Sequence, residues 1–262
     1  MFFSLGSVQL ALILVLLVGG ATAFGLVVGH RLHARANESR ESVGVVQAAL
    51  FGFLGLLLAF GLTMAVGRYD ARRALVVEEA NDIGTTYLRA QMLAEPERTE
   101  SLELLQQYAD ASIALASEVP DSAGFRVALA HMSDLQRKLW ALAGDAVVAD
   151  PTGTAPRLYV EALNPMIDAN SSRVASVRNR VPSTVMVLEV IGGAVALGVL
   201  AFYLALLGRG SSTSIAAAFV VVLILFISFD LDRPHRGLIK IPDAPLISTR
   251  AAMDLPPAAE GP

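Results

Sequence analysis

The ionisable groups that could do chemistry in this sequence sit inside or beside apolar runs. Glu189 interrupts the run Val185–Leu207, about one helical turn from its start. A carboxylate at membrane depth costs roughly 2–3 kcal/mol or more unless it is paired, hydrated or protonated, so such residues mark functional sites by default. The plainer reading is a carboxylate near the interface that snorkels or pairs with Arg180. Asp230 and Asp232 leave another apolar run on the side where Arg68 and Arg72 leave a third. Pairing these acids with these arginines would tie two spans together. Partial desolvation would make each pair worth more than the ~0–1 kcal/mol of an exposed one. Glu78, Glu79 and Asp82 form an acidic patch. Oxygen ligands suit calcium, but the looped spacing of a calcium motif is absent, and a solvated or arginine-paired helix face is simpler.

Other chemistries are excluded by composition or spacing. There is no cysteine, which removes disulfides, thiolate metal sites and thiol nucleophiles. His30, His33, His131 and His235 form no HExxH or His-rich cluster, and His131 reads as a surface residue. No phosphate-binding loop, GxSxG or dinucleotide fingerprint occurs, so neither catalysis nor a cofactor or metal is expected. A formal charge of −4 and a pI near 5.6 argue against a nucleic-acid partner.

The elements that must position these groups are helices. The chain is 54% hydrophobic with a mean hydropathy of +0.57, which fits several membrane spans around a small polar domain. Val8–Val28 is an uncharged run about 30 Å long as a helix, enough to cross the hydrocarbon core. Ala21-Thr22-Ala23 resembles a signal-peptidase site, but no Lys or Arg precedes it, so the span is expected to be retained. The second span is Val43–Val66, the third Val185–Leu207 and the fourth about Ser214–Phe229. In the second, Gly44, Ala48, Gly52, Gly55 and Ala59 allow close helix approach. Gln47, Phe51, Leu54 and Leu58 line another side, either as lipid or packing contacts or as an apolar pore constriction that gates by dewetting.

The helix of the second span is predicted to continue past Gly67 to about Leu93, because Val76, Ala80, Ile83, Tyr87 and Ala90 keep a helical stripe. Three more helices follow, about Glu97–Glu118, Ser122–Ala143 and Arg157–Arg180, with Gly144–Pro156 a loop by composition. Their stripes predict an antiparallel four-helix bundle. The expected fold is an all-α membrane protein. Residues 1–67 hold the first two spans, 68–182 the soluble bundle, 183–230 the last two spans, and 231–262 a proline-rich tail, loose or strapped along the bundle. Arg68, Arg72, Arg73, Arg173, Arg178, Arg180, Arg233, Arg236 and Lys240 lie on the bundle side, against Arg31, Arg35, Arg40 and Arg209 opposite. The positive-inside rule therefore places the bundle and both termini in the cytoplasm of a multi-pass inner (plasma) membrane protein, although the first span alone would prefer the reverse.

Two blocks of sequence resemble a known family. Arg68-x-x-x-Arg72-Arg73, Glu78-Glu79-Ala80-Asn81-Asp82-Ile83-Gly84-Thr85 and Tyr87-Leu88-Arg89 precede the bundle, and Asp230-Leu231-Asp232-Arg233-Pro234-x-x-Gly237 follows the last span. This pattern, with the four spans in order, is similar to the bacterial bestrophin-like domain family over the chain to about Leu246. The resemblance implies a likeness to bestrophins, which are pentameric anion channels with both termini and a helical region in the cytoplasm. It implies a homo-oligomer in the lipid bilayer that passes inorganic anions, with Arg68, Arg72, Glu79, Asn81, Arg89, Asp230, Asp232, Pro234 and Gly237 as family-motif residues. Phe51 and Leu54 fall at a neck by position in the second span. The alternative is a non-conducting sensor or scaffold whose bundle binds a ligand or partner.

Overall fold

The structure is a computed structural model, which describes residues 6–33, 40–208, 211–233 and 237–257. The described residues form eight helices joined by short connections. These are α1 (Ser7–Leu32), α2 (Arg40–Ala90), α3 (Glu97–Ser117), α4 (Ala123–Ala149), α5 (Thr154–Arg178), α6 (Ser183–Leu206), α7 (Ser211–Leu231) and α8 (Ala244–Ala252). The chain divides into two compact units. One is Met1–Tyr69 with Arg180–Lys240, and the other is Asp70–Asn179 with Ile241–Pro262. Helix α2 contributes to both. Four stretches are long and apolar enough to cross a membrane, within α1, α2, α6 and α7.

The first unit is built from these four stretches. Leu10, Leu14 and Val18 of α1 meet Leu54 and Leu58 of α2, Met186, Val190 and Leu197 of α6, and Val221, Leu225 and Phe229 of α7 in one apolar core. Glycines decide how closely α1 and α6 approach. A Cβ on Gly25 would strike the Gly198 carbonyl, and one on Gly29 would lie 2.6 Å from the Phe202 carbonyl oxygen. Backbone-to-backbone approach of this kind is how small residues drive helix association where lipid removes the hydrophobic incentive. Midway along α1, Val15–Gly19 forms a wide π-helical turn. Phe24 and Phe219 are exposed, as expected of helices solvated by hydrocarbon.

The second unit buries the stripes of α3, α4 and α5 against the later part of α2. Ile83, Leu105, Tyr108, Phe125, Met132, Leu135, Leu139, Tyr159, Leu163 and Met166 form its core. Ser122 caps α4 by accepting from the Phe125 amide at 3.0 Å, one of the orphan donors at a helix start. Two boundaries differ from the sequence reading. Helix α4 does not stop at Ala143, because Ala143 and Ala146 continue its buried stripe and carry the helix through Gly144. A glycine there costs only about 1 kcal/mol, less than the packing returns. The loop Gly144–Pro156 shrinks to Asp150–Gly153, and α5 starts at Thr154 with Pro156 in its first turn, where a missing N–H is harmless. The proline-rich tail carries α8. Its Leu246 is buried, Thr249 donates to the Ala80 carbonyl, and Tyr87 donates to the Met253 carbonyl at 3.0 Å.

Candidate functional site

The second unit holds a buried polar cluster around Glu79 of α2. Glu79 is 0% exposed. Its Oε1 accepts from Ser112 Oγ of α3 at 3.0 Å and from Asn170 Nδ2 of α5 at 3.1 Å, while Oε2 pairs with Arg173 Nε. Arg173 Nη2 also donates to the Ser112 hydroxyl and carbonyl at 3.0 and 3.3 Å. Gln136 of α4 donates to Tyr108 OH at 3.2 Å and to Asn170 Oδ1 at 3.3 Å, so all four bundle helices join one network. Burial, then the charge of Glu79, pushes the Tyr108 phenol above its ordinary value. A carboxylate removed from water needs this many donors. The cluster is closed, and its chemistry is to fix helix register rather than to meet a substrate.

Other residues of the two sequence blocks hold backbone groups or lie at the surface. Arg72 is buried and donates to the Ser176 and Asn179 carbonyls at 3.3 and 2.8 Å, where α5 ends and its last carbonyls lack partners. Arg89 donates to the Leu158 carbonyl at 2.7 Å. Asn81 is exposed. In the first unit, Asp230 at the end of α7 accepts from Ser7 Oγ at 3.2 Å with Oδ1. Its Oδ2 accepts from the amides of Leu238 and Ile239 at 2.7 and 2.9 Å. Asp232 accepts from the Val181 amide at 2.8 Å, just before α6 begins. Gly237 is required by space, since a Cβ there would lie 2.6 Å from the Asp230 carbonyl oxygen. Pro234 lies outside the described residues, as do Arg35, Arg209 and Arg236. Backbone amides hold both aspartates, and Arg72 holds two backbone carbonyls.

Glu189 is 2% exposed, and its Oε1 has no hydrogen-bond partner among the described residues. Its carboxylate rests against Gly61 of α2, where a Cβ would collide with it. Leu54 and Leu58 lie inside the core of the first unit at 3% and 6% exposure, with Gln47 and Phe51 half-buried. The opposite side of α2 exposes Val45, Phe53, Leu56 and Phe60.

The acidic patch does not act as one group. Glu78 and Asp82 border an open groove of about 580 Å³ with Asp70, Arg73 and Asn81, whereas Glu79 turns inward to Arg173. Burial, then Glu78 and Glu79, holds the Asp82 carboxyl above its ordinary value. Among the described residues no group of His, Cys, Asp or Glu is placed to hold a metal ion.

Sequence reasoning did not single out Ser112 and Asn170, which lie on the buried faces of α3 and α5. Polar residues on an apolar stripe were the available signal. Arg173 was counted as membrane-proximal, but its guanidinium is buried on Glu79.

Four apolar helices with an inserted helical bundle define an all-α, multi-pass membrane protein. A sequence profile of the Bestrophin-like domain matches residues 13–246, and the chain belongs to that family. Solved structures of a bacterial bestrophin homologue from Klebsiella pneumoniae share the fold. One mutant form aligns with a TM-score of 0.63 at 15% identity, covering 90% of this chain and 97% of that one. Another, phased on zinc, aligns with a TM-score of 0.61 at 15% identity, covering 94% and 96%. No curated protein matches.

Proposed function

We propose that this chain is one subunit of an oligomeric, anion-conducting channel of the inner (plasma) membrane, with α2 lining the conduit. The observation that carries the reading is the open face of α2 in the membrane unit, where Val45, Phe53, Leu56 and Phe60 are all more than half exposed among the described residues. Leu14, Leu54, Val190 and Leu225 fill the unit's interior, so a water-filled path needs several copies around an axis. Membership of the Bestrophin-like family and the shared fold support the same reading. We propose the outer face as the conduit wall in preference to the side of Gln47, Phe51, Leu54 and Leu58; the burial of Leu54 and Leu58 at 3% and 6% exposure supports that choice. Phe53, Leu56 and Phe60 would make an apolar constriction that conducts only when wetted.

The bundle and both termini are assigned to the cytoplasm. Arg72, Arg173 and Arg233 leave the positive-inside count because they are buried. Arg68, Arg73, Arg178, Arg180, Arg236 and Lys240 still outnumber Arg31, Arg35, Arg40 and Arg209. Basic residues at a channel mouth raise the local anion concentration.

Chloride efflux from liposomes holding the purified protein, with its oligomeric mass, tests the reading. An oligomer with efflux that Phe53→Ala or Leu56→Ala alters, at unchanged thermal stability, supports it. A monomer, or an oligomer without efflux at several voltages, overturns it in favour of a non-conducting sensor or scaffold.

A further inference from the structure

The membrane unit carries an apolar groove between α1 and α6, with a volume of about 390 Å³. Its floor is the close approach of Gly25 to Gly198, which leaves no side chain to fill the space. Its walls are Phe24 and Val28 on one side and Val195 and Phe202 on the other. Phe24 and Val195 are exposed, so the groove opens to the surroundings of the spans. Hydrocarbon is the solvent at that depth, and no other part of the described chain enters the groove. One end is marked by charge. Arg31 stands seven residues after Phe24 in the same helical register, about 10 Å further along α1. It is exposed and makes no ion pair among the described residues. A long apolar slot with an exposed arginine at its mouth matches one kind of partner.

We propose that this groove is a specific site for an anionic phospholipid of the bilayer, with one acyl chain between α1 and α6 and the headgroup phosphate on Arg31. Arginine suits this task because its fork of N–H donors fits phosphate oxygens. A second groove of about 360 Å³ lies between α1 and α7, walled by Val15, Leu26, Ile215 and Phe219. The next residue along its α1 wall is His30, whose Nδ1 lies 2.8 Å from the Leu26 carbonyl oxygen. That groove offers an acyl chain the same apolar surface with His30, not Arg31, next along its α1 wall, and it serves as an internal control. The site does not depend on whether the protein conducts ions.

The test is native mass spectrometry of the full chain equilibrated with phosphatidylglycerol or phosphatidylcholine of identical acyl chains. The wild type should retain phosphatidylglycerol in preference. Arg31→Gln, a surface change that leaves the spans intact, should cut that preference about fivefold, the value of one basic side chain near a membrane surface. Val195→Trp, which fills the groove, should remove the retained lipid, while Ala23→Trp, which fills the other groove, should not. Equal retention of the two lipids by the wild type, or an unchanged preference in Arg31→Gln, overturns the proposal. Because the chain has no cysteine, Phe24→Cys gives a further arm. An intermolecular disulfide there would show that a second copy, not lipid, occupies the groove, and would also overturn it.

Discussion

At the scale of single residues, the Glu79–Arg173 pair is the clearest case of chemistry serving structure. Both side chains are buried, so removing one leaves a buried charge without its counter-charge. Arg173→Ala should destabilise the protein by roughly 3–5 kcal/mol, as a large fall in Tm in detergent. Replacing both residues with apolar ones of similar volume should cost less than either single change. If Arg173→Ala melts like the wild type, the pair does not hold the bundle. Asp82 makes the opposite prediction. Its folded carboxyl titrates above the ordinary value of 3.8, because burial and the neighbouring Glu78 and Glu79 disfavour its charge. The folded state therefore binds more protons than the unfolded state between the two values, and stability falls as pH rises through that window. Asp82→Asn should be more stable than the wild type at neutral pH, with the advantage fading as pH falls below about 4. A Tm difference that stays constant between pH 7 and pH 3.5 would rule out this cause.

At the scale of elements, the helices were legible wherever one face stayed apolar. The stripe Val76–Ala80–Ile83–Tyr87–Ala90 announced that α2 runs on past its membrane stretch, and it does so to Ala90. The stretch after Gly144 misled because glycine, aspartate and proline are loop formers by composition. Local propensity lost there to the packing of Ala146. The polar cluster was hidden for a different reason. Register along each helix shows that Ser112 and Asn170 face inward, but only the assembled bundle shows that they face Glu79. The contact between α2 and α6 at Gly61 and Glu189 was equally out of reach, since nothing in either run states which turn of one helix meets which turn of the other. It predicts a specific coupling. Gly61→Ala should destabilise the protein, because its Cβ needs the space of the Glu189 carboxylate. Glu189→Ala vacates that space, so the double variant should recover much of the loss. Additive losses in a double-mutant cycle of Tm would show that the contact does not couple the helices.

At the scale of the whole molecule, the membrane unit is finished on one side of α2 and unfinished on the other. Leu54 and Leu58 are covered by the chain itself, whereas Leu56 and Phe60, between and beyond them, stand 55% and 65% exposed among the described residues. A long helix that leaves one flank bare is ambiguous. Lipid, a neighbouring copy or a column of water could each meet that flank, and only water makes a channel. The absence of cysteine allows the three to be separated with single substitutions. In liposomes, Leu56→Cys and Phe60→Cys should react with a small charged thiol reagent, because thiolates form only in water. Leu54→Cys and Leu58→Cys should stay unmodified in the folded protein. Chloride added in excess should slow the reaction of an anionic reagent more than that of a cationic one if the column of water admits anions. Protection of all four positions would place lipid or a packed interface on the bare flank, and would remove α2 as the wall of a conduit.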